Sequence, residues 1–137
     1  MDYKTTLDCF IKNFIRKDKR ERSEFELKNN KKRAKFTNRL NHEWDTILDM
    51  RYVFRIPSVV DDYEFLKKEL KISDNESCYV ISNYDDIDGE TIEFEKAFGQ
   101  VYGRGLGSII ATGSGEKIYL ETELEQGKQA RFFGKLK

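Results

Sequence analysis

Residues 108–122 read SIIATGSGEKIYLET, two β-prone segments at 108–112 and 117–122 on either side of a Gly-Ser-Gly-Glu turn. Glycine takes up positive φ without steric cost, as a tight reversal requires, so the two segments are expected to pair antiparallel. That hairpin sets the character of the sheet. Upstream, Cys78, Tyr79, Val80 and Ile81 are continuously apolar and predict a central strand buried on both faces. Further upstream, Tyr52, Phe54 and Ile56 alternate with Val53 and Arg55, which predicts another strand, closed by Pro57. Downstream, residues 130–136 are expected to add an edge strand, with Lys135 and Lys137 opposing edge-to-edge aggregation.

The helices are read from a different period. Leu7, Phe10, Ile11, Phe14 and Ile15 recur at helical spacing, with Thr5 and Asp8 as a capping-box-like start, and predict a helix over about 5–20. The following RKDKRERSE has no apolar stripe, so the helix is expected to fray or turn there. A second helix is expected from Asn29 or Asn30, with Phe36, Leu40, Trp44, Ile47 and Leu48 on one face and Lys31, Lys32, Arg33, Lys35 and Arg39 elsewhere. Ser58 with Asp61 predicts the cap of a third helix, striped by Val59, Tyr63, Leu66 and Leu70, supported by a Glu64–Lys68 pair and ending near Lys71. Phe94, Ala97, Phe98, Val101 and Tyr102 predict a fourth, stopped by Gly103. The expectation is one α+β domain over 1–137, an antiparallel or mixed sheet of about four to five strands covered on one face by the N-terminal helices.

Composition narrows the function classes. The chain has 137 residues, 38% of them hydrophobic and 13% aromatic, with one proline, a pattern too apolar for a disordered chain. No apolar run is long enough to span a bilayer, and the N-terminal MDYKTTLDCF is not a secretory signal, so a cytoplasmic location is expected. Cys9 and Cys78 lie far apart without CxxC spacing and read as reduced structural thiols. The net charge of zero conceals a division along the chain. Residues 11–40 carry 12 Lys and Arg against 4 acids, whereas residues 61–95 carry 12 acids against 3 Lys.

Each chemical motif has a competing plain reading. The acidic stretch 84–95 aligns Gly89 with the sixth position of a calcium loop and Asp86, Asp88 and Glu95 with the third, fifth and twelfth. Tyr84 then occupies the first position, where a carboxylate is needed, and a strand precedes the loop; an Asp88–Gly89 turn with solvated acids is simpler. A looser divalent-metal site at 85–90, or an enzyme built on it, is the second alternative for function. GRGLG at 103–107 lies between helix and strand, whereas phosphate loops run from strand to helix, so it reads as a helix stop with Arg104 at its tip. His42 is the only histidine, which excludes two-histidine metal centres, and no serine or cysteine is marked as its partner. The triplets 26–28 and 69–71 have the ExK pattern of metal-dependent nucleases but fall in helical or loop patterns. Glu121, Glu123 and Glu125 read as an exposed, self-repelling edge. No cofactor and no metal are expected.

Two partner readings remain. The basic segment 11–40, through Lys31, Lys32, Arg33, Lys35 and Arg39, is the alternative site, for nucleic acid. Its Asp18, Glu21, Glu24 and Glu26 weaken phosphate affinity, and Phe14 and Phe36 sit on apolar helix faces, leaving Phe25 as the third aromatic. The favoured reading is a non-enzymatic protein that engages a basic protein partner through Asp61, Asp62, Glu64, Asp85, Asp86, Asp88 and Glu90, with Tyr63 or Tyr84 as anchor. In this it resembles, at the level of class only, bacterial immunity or antitoxin-type inhibitors that cover the basic site of a toxin nuclease. The opposed charges could instead satisfy one another, within the fold or across a self-complementary homodimer.

Overall fold

The computed structural model describes residues 3–57, 61–124 and 130–136. The hairpin forms as expected. Strands β4 (Ser108–Thr112) and β5 (Lys117–Glu121) pair antiparallel, with Ser108 opposite Glu121 and Ile110 opposite Tyr119. Its turn also docks the first helix, α1 (Tyr3–Phe14): Thr6 Oγ1 donates to Gly113 O at 2.8 Å and Asn13 Nδ2 to Gly115 O at 2.9 Å. Gly115, at φ +69°, lies so close that an added Cβ would stand 2.5 Å from that of Cys9. Glycine is therefore required here for packing as well as for the turn.

The remaining strands are β1 (Val53–Arg55), β2 (Ser77–Ser82), β3 (Thr91–Glu93) and β6 (Arg131–Lys135), and the six form one sheet in the order β1-β6-β5-β4-β2-β3 with every pair antiparallel. The count exceeds the expected four to five because β3, only three residues long, carries little periodicity to read. The segment expected as an edge is interior. β6 lies between β5 and β1, and at its Gly134 an added Cβ would stand 2.6 Å from Ile118 Cγ1. Lys135 bonds Glu69 at 2.8 Å; Lys137 lies outside the described residues.

Alternate strand residues serve two cores. Tyr79, Ile81, Ile109, Ala111, Ile118, Leu120 and Phe132 meet Leu7, Phe10, Phe14, Phe36, Leu40 and Ile47, so the N-terminal helices cover one face as expected. Cys78, Val80, Ile110, Tyr119 and Phe133 meet α5 (Asp62–Leu70) and α6 (Phe94–Val101) on the other. Coverage of both faces explains why β2 and β4 lack alternation: all five residues of β4 are buried.

The N-terminal helices are shorter and more numerous than their periodicity suggests. α1 stops at Phe14 because Ile15 forms an antiparallel bridge with Leu48, with Arg16 N donating to Ile47 O at 2.9 Å and Asp49 N to Phe14 O at 2.7 Å. Where a fray or turn was expected, a 3-10 turn leads into a further helix, α2 (Arg20–Leu27), which buries only Ser23, Glu26 and Leu27. Ion pairs support it: Glu26 pairs with Arg39 and, at 3.2 Å, with Arg22. The expected second helix divides into α3 (Arg33–Leu40) and α4 (Trp44–Ile47). Between them the Asn41 side chain accepts from Gly107 N at 2.7 Å. Asp61 itself caps α5, accepting from Glu64 N at 3.0 Å, and Lys71 ends it at φ +54°. Ser58 and Val59 lie outside the described residues. The Glu64 partner is Lys67, at 3.8 Å, rather than Lys68. Among the described residues no helix is long and apolar enough to cross a membrane.

Candidate functional site

The two oppositely charged runs meet at one point, the loop 83–90 that follows β2. Arg33, at the start of α3, makes a bidentate pair with Asp88, Nε to Oδ2 and Nη2 to Oδ1, both at 2.8 Å. Its Nη1 donates to Leu27 O at 2.9 Å and to the Tyr79 hydroxyl at 2.8 Å. Burial alone would lower the Arg33 pKa, but hydrogen bonding and charge from Asp88 outweigh it and raise the value, so the guanidinium is a fixed cation. Asp88 Oδ1 also accepts from Ser82 N at 2.9 Å.

The rest of the loop is tied as firmly on its inner side. Asn83 Nδ2 reaches Thr37 O and Gly107 O at 2.8 Å, and Ile87 is buried in the second core. Tyr84 OH donates to Arg104 O at 2.7 Å and accepts from Leu106 N at 3.0 Å, while the Arg104 guanidinium lies 3.8 Å from the Tyr84 ring centroid. Asp85, Asp86 and Glu90 are exposed on the outer side. Asp86 pairs with Arg104 at 3.3 Å; Asp85 and Glu90 form no ion pair among the described residues. Beside the loop opens a cleft of about 830 Å³ between α1, α3 and the end of β2, lined by Tyr3, Lys4, Lys28, Arg33, Asp85 and Asp88 among others.

No family model, curated protein or solved structure matches this chain.

The geometry divides the expected partner surface. Asp62 is withdrawn from it: its side chain is 3% exposed and pairs with Arg131, because helix α5 turns it toward the sheet. Asp88 is the internal partner of Arg33, and Asp61 is committed to the helix cap. Tyr63 stacks on Phe94 with ring centroids 5.5 Å apart, and its hydroxyl bonds Asp74. Glu64 is exposed on α5. Glu93 and Glu95, not among the expected partner contacts, are exposed immediately beyond the loop. The basic alternative contracts in the same way. Arg33 and Arg39 are held by Asp88 and Glu26, leaving Lys31, Lys32 and Lys35 outside any ion pair among the described residues. Phe25 alone of the three aromatics is exposed, at 59%.

The motifs resolve into structural roles. No group of three or more His, Cys, Asp or Glu among the described residues could hold a metal ion. Glu26 is bound to Arg39 and Glu69 to Lys135, which accounts for the acid of each ExK triplet. His42 Nδ1 lies 2.8 Å from Glu123 Oε2 on the surface. Burial pushes the Cys78 thiol up to about 12, in keeping with an inert structural cysteine. The expected exposed edge of glutamates is replaced by a buried acid: Glu121 is 0% exposed, because β5 is flanked on both sides and its end is closed by the turn after α6. Its Oε1 accepts from the Tyr119 hydroxyl at 2.6 Å and from Gly103 N at 2.9 Å, whereas Oε2 has no partner among the described residues. Burial raises its pKa above the hydrogen bonds' lowering effect. Glu125 lies outside the described residues.

Proposed function

We propose that this protein is a non-enzymatic, cytoplasmic binding protein that engages a basic protein partner through Asp85, Asp86 and Glu90, extended by Glu93 and Glu95. The observation that carries this reading is the two-sidedness of loop 83–90: its inner side chains, Asp88 among them, are bonded or buried, while Asp85, Asp86 and Glu90 are exposed. A loop held in this way presents its charges at little ordering cost on binding, and complementary charge raises the association rate. An immunity or antitoxin-type inhibitor acting on a basic nuclease site is the class of protein with this chemistry. Nucleic-acid binding is the weaker reading, because two of the five cations proposed for it are engaged by carboxylates.

The test is partner capture from a native lysate with the full chain. Combined Asp85→Asn, Asp86→Asn and Glu90→Gln substitution is expected to abolish capture of a basic protein, and Lys31→Gln with Lys32→Gln to leave it unchanged. Capture indifferent to the acidic substitutions would overturn the proposal.

A further inference from the structure

Lys4, Lys28, Arg33, Asp8, Asp85 and Asp88 bring six formal charges to the cleft, three of each sign. Four of them are engaged there, Arg33 with Asp88 at 2.8 Å and Lys28 with Asp8. Lys28 is held further by Glu24 at 3.0 Å. One cation, Lys4, and one anion, Asp85, remain, both exposed and neither in an ion pair among the described residues. A polyanion entering here finds a single uncommitted cation among three carboxylates, which is the wrong balance for phosphate binding. A purely basic ligand is repelled by Lys4. A ligand carrying both signs satisfies both residues.

The uncharged lining supports the same class of ligand. Asn30 and Asn38 also line the cleft, their side-chain amides have no hydrogen-bond partners among the described residues, and each amide can both donate to and accept from peptide groups. Tyr3, stacked on Tyr79 with centroids 5.8 Å apart and itself 47% exposed, offers a π face of the kind that attracts ammonium and guanidinium groups. The volume of about 830 Å³ is that of a ligand site and exceeds what one side chain fills.

We propose that the cleft binds a short peptide segment carrying one basic and one acidic side chain, with Asp85 receiving the basic group and Lys4 the acidic one. The inference rests on the reading of Asp85 as a partner contact and adds that the partner inserts a mixed-charge segment beside it.

The test is NMR titration of the isotope-labelled full chain with the blocked tripeptide Lys-Gly-Glu. Shifts are expected in the amides of residues 3–8, 27–38 and 79–89, the segments that line the cleft. Lys4→Gln and Asp85→Asn should each weaken binding about two- to fivefold, the magnitude of an exposed ion pair. Absence of shifts in those segments, or an affinity indifferent to Lys4→Gln, would overturn the cleft as a peptide site. A blocked tri-lysine peptide separates the two readings. If it shifts residues 85–95 while Lys-Gly-Glu leaves the cleft silent, the acidic surface stands and the cleft falls. If it shifts nothing while Lys-Gly-Glu binds in a Lys4-dependent way, the cleft stands and the wider acidic surface falls.

Discussion

Asp88 and Glu121 are both carboxylates drawn in from solvent at the ends of strands, yet their surroundings differ in kind. Asp88 meets a guanidinium through two 2.8 Å bonds and a backbone amide at 2.9 Å. Glu121 meets a phenol and an amide on one oxygen and no partner among the described residues on the other. The cation whose charge acts on Glu121, Arg131, is paired with Asp62. One acid is paired with a cation and locks a loop to a helix; the other has no cation of its own, and burial raises its pKa despite the hydrogen bonds it receives. Charge in the sequence becomes an available surface only where no such internal role claims it, as at Asp85 and Glu90.

The largest effect in this comparison comes from removing the cation. Arg33→Ala leaves Asp88 without its counter-ion and frees Leu27 O and the Tyr79 hydroxyl from their donor. Loss of one partner from such a pair costs about 3 kcal/mol, at the low end for buried pairs because both side chains retain slight exposure. A lower urea midpoint would show it, and loop 83–90 should lose amide protection before the sheet does.

Glu121→Gln gives a smaller change, read in its pH dependence. The folded pKa of Glu121 is raised by burial above the ordinary value of 4.5, so the folded state retains its proton longer than the unfolded chain does. The resulting stability is present in full below the unfolded value and is lost as pH rises through the folded one. As pH rises above the ordinary value of 4.5 the Gln variant should therefore gain on the wild type in denaturant titrations, whatever constant offset its amide introduces. A parallel pair of curves would contradict the raised pKa of Glu121.

The smallest effect is expected outside these networks. Lys31→Gln, Lys32→Gln and Lys35→Gln should each leave stability within about 0.5 kcal/mol, because none of the three side chains has a bonded partner among the described residues and the Lys31 N bond to Asn29 Oδ1 survives the substitution. A thermal shift beyond that range for any of them would mean that the basic run has a structural role here unaccounted for.

The elements legible in the sequence are those with a strong local signal. The turn at 113–116, the apolar run 78–81 and the stripes of α5 and α6 predict what the structure contains. The misreadings share a physical cause, which is dependence on distant partners. Periodicity continues through Ile15 and Leu48, and only their mutual bridge breaks the helices on either side. α2 has too little apolar surface to announce itself and relies on the Glu26–Arg39 pair with α3. Residues 130–136 look like an edge because Lys135 resembles an edge charge, until β1 joins them on the far side. At the site, the exposed acids of the loop were readable from composition, but Arg33 and Asp88 stand 55 residues apart and no local pattern links them. Glu121 likewise lies in an alternating acidic segment, and nothing short of the strand order reveals that it is enclosed.

Among the described residues one ion pair, Arg33 with Asp88, joins the two charged runs and helps to hold the acidic loop in place. A double-mutant cycle with Arg33→Met, Asp88→Asn and the combination measures it directly by urea denaturation. We expect a coupling energy of about 2 kcal/mol, with the double variant losing much less than the sum of the two single losses. Additive losses, with coupling near zero, would contradict the account.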